Sequence, residues 1–502
     1  MKNIKMLVML VMLVLPAFAL LFSPGIHSMH DFHSFRLQQF ISAGTFPGRW
    51  AFDAGAGYGE PVFNYYGQFS YWVGALFHLS GLSLLSSIKA TFILSILLSS
   101  ILMYFLAKKY FGQTGGLISA LFYAYAPYRA VDVWVRGALP EALAFVFFPA
   151  ILLSPNIFWM SLSIAGLIIT HNLSALMFLP FAFIFSIFQK NIKNFLYSSV
   201  IALFLSSFYL VPLYFERNLV SLSEFTQNLY QYQIHYTTLN QLFISKFWGF
   251  GSSVWGIDDN MSFSVGYLHW ILPTLLIIFL IYKKNLKSVF WFLFSLGILA
   301  AFLTHGKSEL IWKIFTPLSY LQFPWRFLSI STFFLSFAAG AIIYLNKKIF
   351  LSLIITLLIL INASCFKFDY WIPQTDQEYF SGDFWDTQRF ASLIDFWPKG
   401  SKLPNQIAPE KPFYSIGDQS KGGVIVYPIV NFPGWQAKVN NQLVPIINHS
   451  DKKLISFQVP AGEPDIKLEF KDTLPRTIGN LTSLFSLIIL ILCYRSLSQR
   501  HS

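Results

Sequence analysis

The sequence predicts a mainly α, polytopic membrane bundle of about 12 spans, closed by a small C-terminal β-rich domain outside the cytoplasm. Three observations carry this reading. Hydrophobic residues make up 55% of the 502 and charged ones only 12%, with mean hydropathy +0.55, which is too apolar for a soluble chain of this length. Apolar runs long enough to cross a hydrocarbon core as helices recur along the chain. The cations gather in short clusters between those runs, as cytoplasmic loops do. The formal charge of +12 would attract nucleic acid, but its distribution argues for no nucleic-acid partner and for membrane lipids instead.

The runs fall at 6–23, 84–107, 114–131, 139–154, 156–171, 173–189, 194–214, 265–281, 287–303, 320–345, 349–364 and 477–494. The first is read as an uncleaved span. A signal peptide is the alternative, since Ala17 and Ala19 form an A-x-A pattern, but the run continues past them to Phe22. With both termini cytoplasmic, Lys2 and Lys5, Lys108 and Lys109, Lys190 and Lys193, Lys283, Lys284 and Lys287, Lys347 and Lys348, and Arg495 and Arg500 all fall inside. The stretch 65–79, with Tyr, Trp and His at its ends, is read as an interfacial helix. Four segments then face outward: 24–83, 132–140, 215–264 and 365–475. The chain divides into a bundle over 1–364, a β-rich domain over 365–475, and a last span with its tail over 476–502. Within the β-rich part, Asn440-Asn441 suits a two-residue hairpin turn. Cys365 and Cys493 fall on opposite sides, so no disulfide is expected and the redox compartment stays open.

The first polar segment, 29–50 (MHDFHSFRLQQFISAGTFPGRW), gathers His30, Asp31, His33 and Arg36 and closes on Gly44, Pro47, Gly48 and Arg49. A carboxylate flanked by imidazoles and a guanidinium, just outside a span, suits chemistry on a lipid-linked substrate. Asp31 also fits the N-cap of an amphipathic helix, a role compatible with catalysis. His30 and His33 share a helix face, so a divalent cation (Mg or Mn) is a candidate near Asp31; histidines bonded to water or headgroups are the alternative. A second acidic site runs from Asp132 through Arg136 to Pro140-Glu141. Proline followed by Glu suits a helix start, which accounts for Glu141 but not for Arg136. Arg326, between Trp325 and Phe327, either snorkels to headgroups or holds a lipid phosphate in bidentate fashion. His171-Asn172 is a further polar pair at the outer level.

The order of acidic first loop, interfacial helix, two spans and short acidic second loop is similar to integral-membrane glycosyltransferases of the C-type fold. More specifically, HDFHSFR (30–36), GTFPGRW (44–50), GYGEPVFNYY (57–66), RGALPE (136–141), THNLSAL (170–176), QFPWRF (322–327) and NFPGWQAKV (431–439) resemble the bacterial membrane-protein family labelled 6-pyruvoyl-tetrahydropterin-synthase-related. The chain carries no sign of pterin chemistry. What the resemblance implies is inverting transfer of a sugar from a polyprenyl-phosphate donor to an extracytoplasmic glycan, lipid or protein acceptor. Asp31 matches the first-loop acid assigned as catalytic, and Glu141 is the nearest match to the second-loop acid. The first loop departs from the paired-acid motif of some relatives, with His30 preceding the acid.

On this expectation Asp31 is the general base and Arg326, with Arg136, holds the departing phosphate. Glu141 orients Arg136 or the acceptor, and His30, His33, Arg36, Arg49, His171 and Asn172 complete the substrate site. The alternative is a lipid or polysaccharide transporter, for which charges near mid-membrane and repeated halves would speak; here the ionisable residues concentrate at span ends. A β-rich binding module anchored by the spans ranks last. The enzyme reading requires Asp31 and Arg326 to converge.

Overall fold

Apolar runs become helices nearly wherever the sequence places them. The computed structural model describes residues 11–17, 20, 28–221, 230–254, 259–282, 288–345, 348–370, 372–391 and 396–499. Lys2, Lys5, Lys283, Lys284, Lys287, Lys347 and Arg500, and most of the first apolar run, lie outside the described residues. Helices Leu139–Leu153, Ile157–Thr170, Asn172–Phe188, Tyr267–Tyr282, Ser288–Leu303 and Lys348–Asn362 each match a predicted run closely. Polar residues set their ends: Asn156, for example, accepts from the Trp159 N–H at 3.2 Å and caps its helix. A helix is found at Phe69–Leu79, within the stretch expected to be an interfacial helix.

The span count differs from the sequence reading. Among the described residues, three helices are long and apolar enough to cross a membrane: Leu84–Ala124, Pro324–Leu345 and Leu474–Ser496. A fourth is added if Ile192–Leu205 and Ser207–Leu219, bent by 69°, count as one. The six helices named above have 14–17 residues, so they reach only about 21–26 Å at 1.5 Å per residue, short of a core of about 30 Å. Their polar ends cut the apolar runs too early for a perpendicular crossing.

Leu84–Ala124 also holds a reversal. Gly112 has φ 68° and ψ −175°, outside helical space. A Cβ on Gly116 would lie 2.8 Å from the Tyr104 carbonyl oxygen and 3.1 Å from the Lys108 backbone nitrogen, so the residues after Gly112 run back along those before it. Arg129 accordingly reaches Ser99, its Nη1 donating to Oγ at 2.6 Å. Two separate helices were expected here, and the turn at Gly112 separates them. At the centre of the bundle, every residue of Leu328–Ala339 is buried, including Ser329, Ser331, Thr332 and Ser336.

Among its described residues, the C-terminal domain has seven strands: β1 Phe413–Asp418, β2 Gly422–Val430, β3 Trp435–Val439, β4 Gln442–Val444, β5 Ile447–His449, β6 Leu454–Val459 and β7 Ile466–Phe470. They form two antiparallel sheets, ordered β1-β2-β6-β5 and β4-β3-β7. Burial alternates along β3, turning Trp435, Ala437 and Val439 inward. Asn440 and Asn441 carry φ 52° and 67° in the turn between β3 and β4, the left-handed pair a tight hairpin needs.

Two contacts stand out among those that bind this domain to the bundle. Trp50 of the first loop packs against Trp435, Phe470 and Phe432, with ring centroids 5.3, 4.9 and 6.1 Å away. Arg476, at the start of the last helix, donates from Nε and Nη2 to Glu216 Oε2 at 3.0 and 2.9 Å, with both side chains buried. Asn64 and Thr473 donate to the same carboxylate at 3.2 and 2.5 Å.

Nothing lies within 4 Å of a Cβ built on Gly112, so its requirement for glycine is purely conformational. Gly112→Ala is expected to destabilise the protein by about 1–3 kcal/mol, read as a lowered thermal midpoint in detergent.

Candidate functional site

The site grows from one short connection. After the turn Pro127–Ala130 the chain widens into a π-helical turn, Val131–Val135, which places Asp132 and Arg136 on one side. Arg136 Nη1 donates to Asp132 Oδ1 at 2.6 Å. Gly137, at φ 57°, then reverses the backbone, and Leu139–Leu153 begins with Pro140 in its first turn. The reversal returns Glu141 to Arg136, whose Nη1 lies 2.9 Å from Oε2. Tyr128 donates to Glu141 Oε1 at 2.7 Å and accepts from Arg136 Nη1 at 3.3 Å. Both oxygens of Glu141 are thus engaged, which makes it an anchor for the cations around it.

A second arginine arrives from the central helix. Gln322, at φ 62°, kinks the chain into the turn Pro324–Phe327, and Arg326 Nε comes 3.8 Å from Glu141 Oε2. Arg326 Nη1 donates to the Leu321 carbonyl at 2.8 Å and to Gln322 Oε1 at 3.4 Å. Trp325 roofs the other arginine, its ring centroid 4.6 Å from Arg136 Cζ. His171, extended between Ile157–Thr170 and Asn172–Phe188, holds Ser174 Oγ at 2.7 Å and lies within electrostatic reach of Glu141, Arg326 and Arg136. Asn172 is half-buried at the head of the following helix.

The first loop closes on this cluster. His33 is buried in the helix Ser28–Ser42; its Nε2 accepts from the Leu139 N–H at 3.4 Å, which leaves Nδ1 to donate to the Tyr71 hydroxyl at 3.0 Å. Arg36 lies between two rings, Phe32 and Tyr66, 4.0 and 4.1 Å from their centroids. Tyr66 is in turn an electrostatic neighbour of Arg326. The next residue, Gly67, fits so closely that a Cβ there would lie 2.3 Å from the Thr170 carbonyl oxygen.

The structure therefore gathers Arg136, Glu141, Arg326 and His171, with His33 touching from the first loop and Arg36 one ring away. Arg49 goes elsewhere: it is buried at the seam with the last helix, donating to Asn480 Oδ1 at 2.8 Å with Asp472 at 3.7 Å. Burial lowers its pKa to about 10, with Asp472 opposing. The side chains of His30 and Asp31 lie outside the described residues, although their backbone belongs to Ser28–Ser42. The cation expected near Asp31 falls there too. Among the described residues, no group of three or more His, Cys, Asp or Glu could hold a metal ion.

Sequence reasoning missed Tyr128 and Tyr66, which nothing distinguishes from the chain's other tyrosines. It treated Asp132 only as a loop acid. Its Oδ2 is buried with no hydrogen-bond partner among the described residues. Burial, then the charge of Glu141, push its carboxyl well above the usual range, with Arg136 pulling the other way.

Two variants test this geometry. Glu141→Ala strands buried cations and is expected to cost about 3–5 kcal/mol; a Glu141→Ala/Arg136→Met double variant should lose less than the sum of its singles in thermal denaturation. Gly67→Ala overpacks the contact with Thr170 and is expected to cost about 1–3 kcal/mol, read the same way. No family model matches this chain, and no curated protein matches it either.

Proposed function

We propose that the protein is an inverting membrane glycosyltransferase that moves a sugar from a polyprenyl-phosphate donor to an extracytoplasmic acceptor, a glycan, lipid or protein. In this reading it is a C-type enzyme, similar to the 6-pyruvoyl-tetrahydropterin-synthase-related membrane family. Its termini are cytoplasmic, and 24–83, 132–140, 215–264 and the β-rich domain face outward. The observation that carries the proposal is the meeting of Arg136, Arg326, Glu141 and His171, with His33 bonded to the same connection two positions after Asp31. Buried cations in such a bundle call for an anionic ligand or a paired acid. This cluster supplies acids for one arginine and only a distant carboxylate contact for the other.

The division of labour follows from those distances. Arg136 is neutralised by Asp132 at 2.6 Å and Glu141 at 2.9 Å, so it serves as a fixed buttress. Arg326, whose nearest acid is 3.8 Å away, is the phosphate ligand. Asp31 takes the proton from an acceptor hydroxyl as its oxygen bonds to the anomeric carbon. The bond from that carbon to the phosphate oxygen breaks on the opposite face. The electron pair leaves with the phosphate, where Arg326 meets the developing charge.

In membranes supplied with a panel of labelled polyprenyl-phosphate sugars, Asp31→Asn is expected to lower transfer by about 10²–10⁴-fold with the thermal midpoint unchanged. Arg326→Ala is expected to lower it by about 10²–10³-fold. Full activity of Asp31→Asn would remove that carboxylate from the mechanism. Intact donor recovered across the bilayer, with no sugar transferred, would establish the transporter alternative.

A further inference from the structure

The segment 230–264 carries polar residues that the phosphate site does not use. The capping box of Thr238 and Gln241 starts the short helix Leu239–Phe243. Beyond it the chain doubles back, with the Gly251 N–H donating to the Asn260 carbonyl at 2.9 Å. Between the two lies a cavity of about 330 Å³, lined by Asn240, Gln241, Phe247, Asp259, Asn260 and Phe263 among others. Asp259 is buried there and held by Gln241 Nε2 at 2.8 Å, Ser253 Oγ at 3.2 Å and the Val254 N–H at 2.9 Å. Phe247 is 52% exposed at its edge. Phe263, buried in its wall, packs on Trp325 with centroids 5.8 Å apart. Trp325 is the ring that roofs Arg136.

We infer that this cavity is a saccharide subsite, which receives the acceptor glycan beside the phosphate cluster. The chemistry of its walls selects the class. The side-chain amides of Asn240 and Asn260 suit neighbouring hydroxyls, donating and accepting at once, while Asp259 and Gln241, bonded to each other, shape the wall. An aromatic ring covers the apolar C–H face of a sugar ring. A phosphate or a lipid tail would use neither combination: the cavity has no cation in its lining and is too polar for an acyl chain. Its volume lies at the small end of ligand pockets, of about 300–1,000 Å³, enough for one or two sugar units. The ring contact from Phe263 to Trp325 joins the cavity wall to the Arg136 roof, so a sugar seated here lies two aromatic rings from Arg136. The role as acceptor site rests on the glycosyltransferase reading; saccharide binding by the cavity does not.

The test uses the full-length protein in detergent and two variants that leave the hydrogen bonds holding Asp259 intact, Phe247→Ala and Asn260→Ala. Saturation-transfer NMR with free trisaccharides of glucose, galactose and mannose reads binding directly. At least one is expected to bind the wild type, with affinity reduced about 10–100-fold in Phe247→Ala. In the transfer assay the same variants are expected to raise the acceptor KM, with the KM for the polyprenyl-phosphate donor unchanged. Binding of none of the trisaccharides, or equal binding by wild type and both variants, would overturn the subsite. Binding lost in the variants of a protein that transfers no sugar would overturn the glycosyltransferase reading and leave the subsite standing.

Discussion

Arg136 cannot be understood alone. A guanidinium taken out of water must be met by acids, and here the chain meets it twice, from Asp132 four residues before and Glu141 five residues after. Those two bonds dictate the local backbone. The π turn aligns Asp132 with Arg136, and the reversal at Gly137 returns Glu141. With Glu141 so fixed, its remaining field reaches Arg326 from a helix almost two hundred positions on and His171 from the junction of two others. The cluster thus ties together the starts or ends of several helices by a single requirement: that no charge stay buried without a counterpart.

The first loop is held to this cluster from both ends. Its helix is pinned through His33 to the Leu139 N–H, and Gly67 lies against the end of Ile157–Thr170. Between them Trp50 enters the aromatic core of the β-rich domain, and Asn64 and Tyr65 bond Glu216. The β-rich domain is therefore more than an appendage, since its strands clamp the loop that frames the site.

Much of this was legible in the sequence. Helix positions followed from the apolar runs, and the hairpin at Asn440-Asn441 followed from turn chemistry. Arg136, Glu141, His171 and Arg326 stood out as polar residues at the ends of apolar runs, and the fold brings these four together. Arg49 stood out within the first polar segment and proves to serve the seam with Asp472 and Asn480. A charge beside an apolar run announces that it needs a partner, and not which one. The span count exceeded what the helices provide because apolar composition does not report length: a run of 14 residues and a run of 23 read alike until the caps are placed. Tyr128 and Tyr66 were invisible because their roles depend on tertiary neighbours alone.

The pairing of Glu216 with Arg476 has a further consequence, for the order of biosynthesis. A ribosome delivers the chain from its N-terminus, so Glu216 emerges 260 residues before the guanidinium that neutralises it. Throughout that interval the acid lacks its guanidinium partner, and the strands that carry Trp435 and Phe470 are made only late in it. The arginine at the head of Leu474–Gln499 therefore acts as a latch, closing on Glu216 only after the β-rich strands have been made.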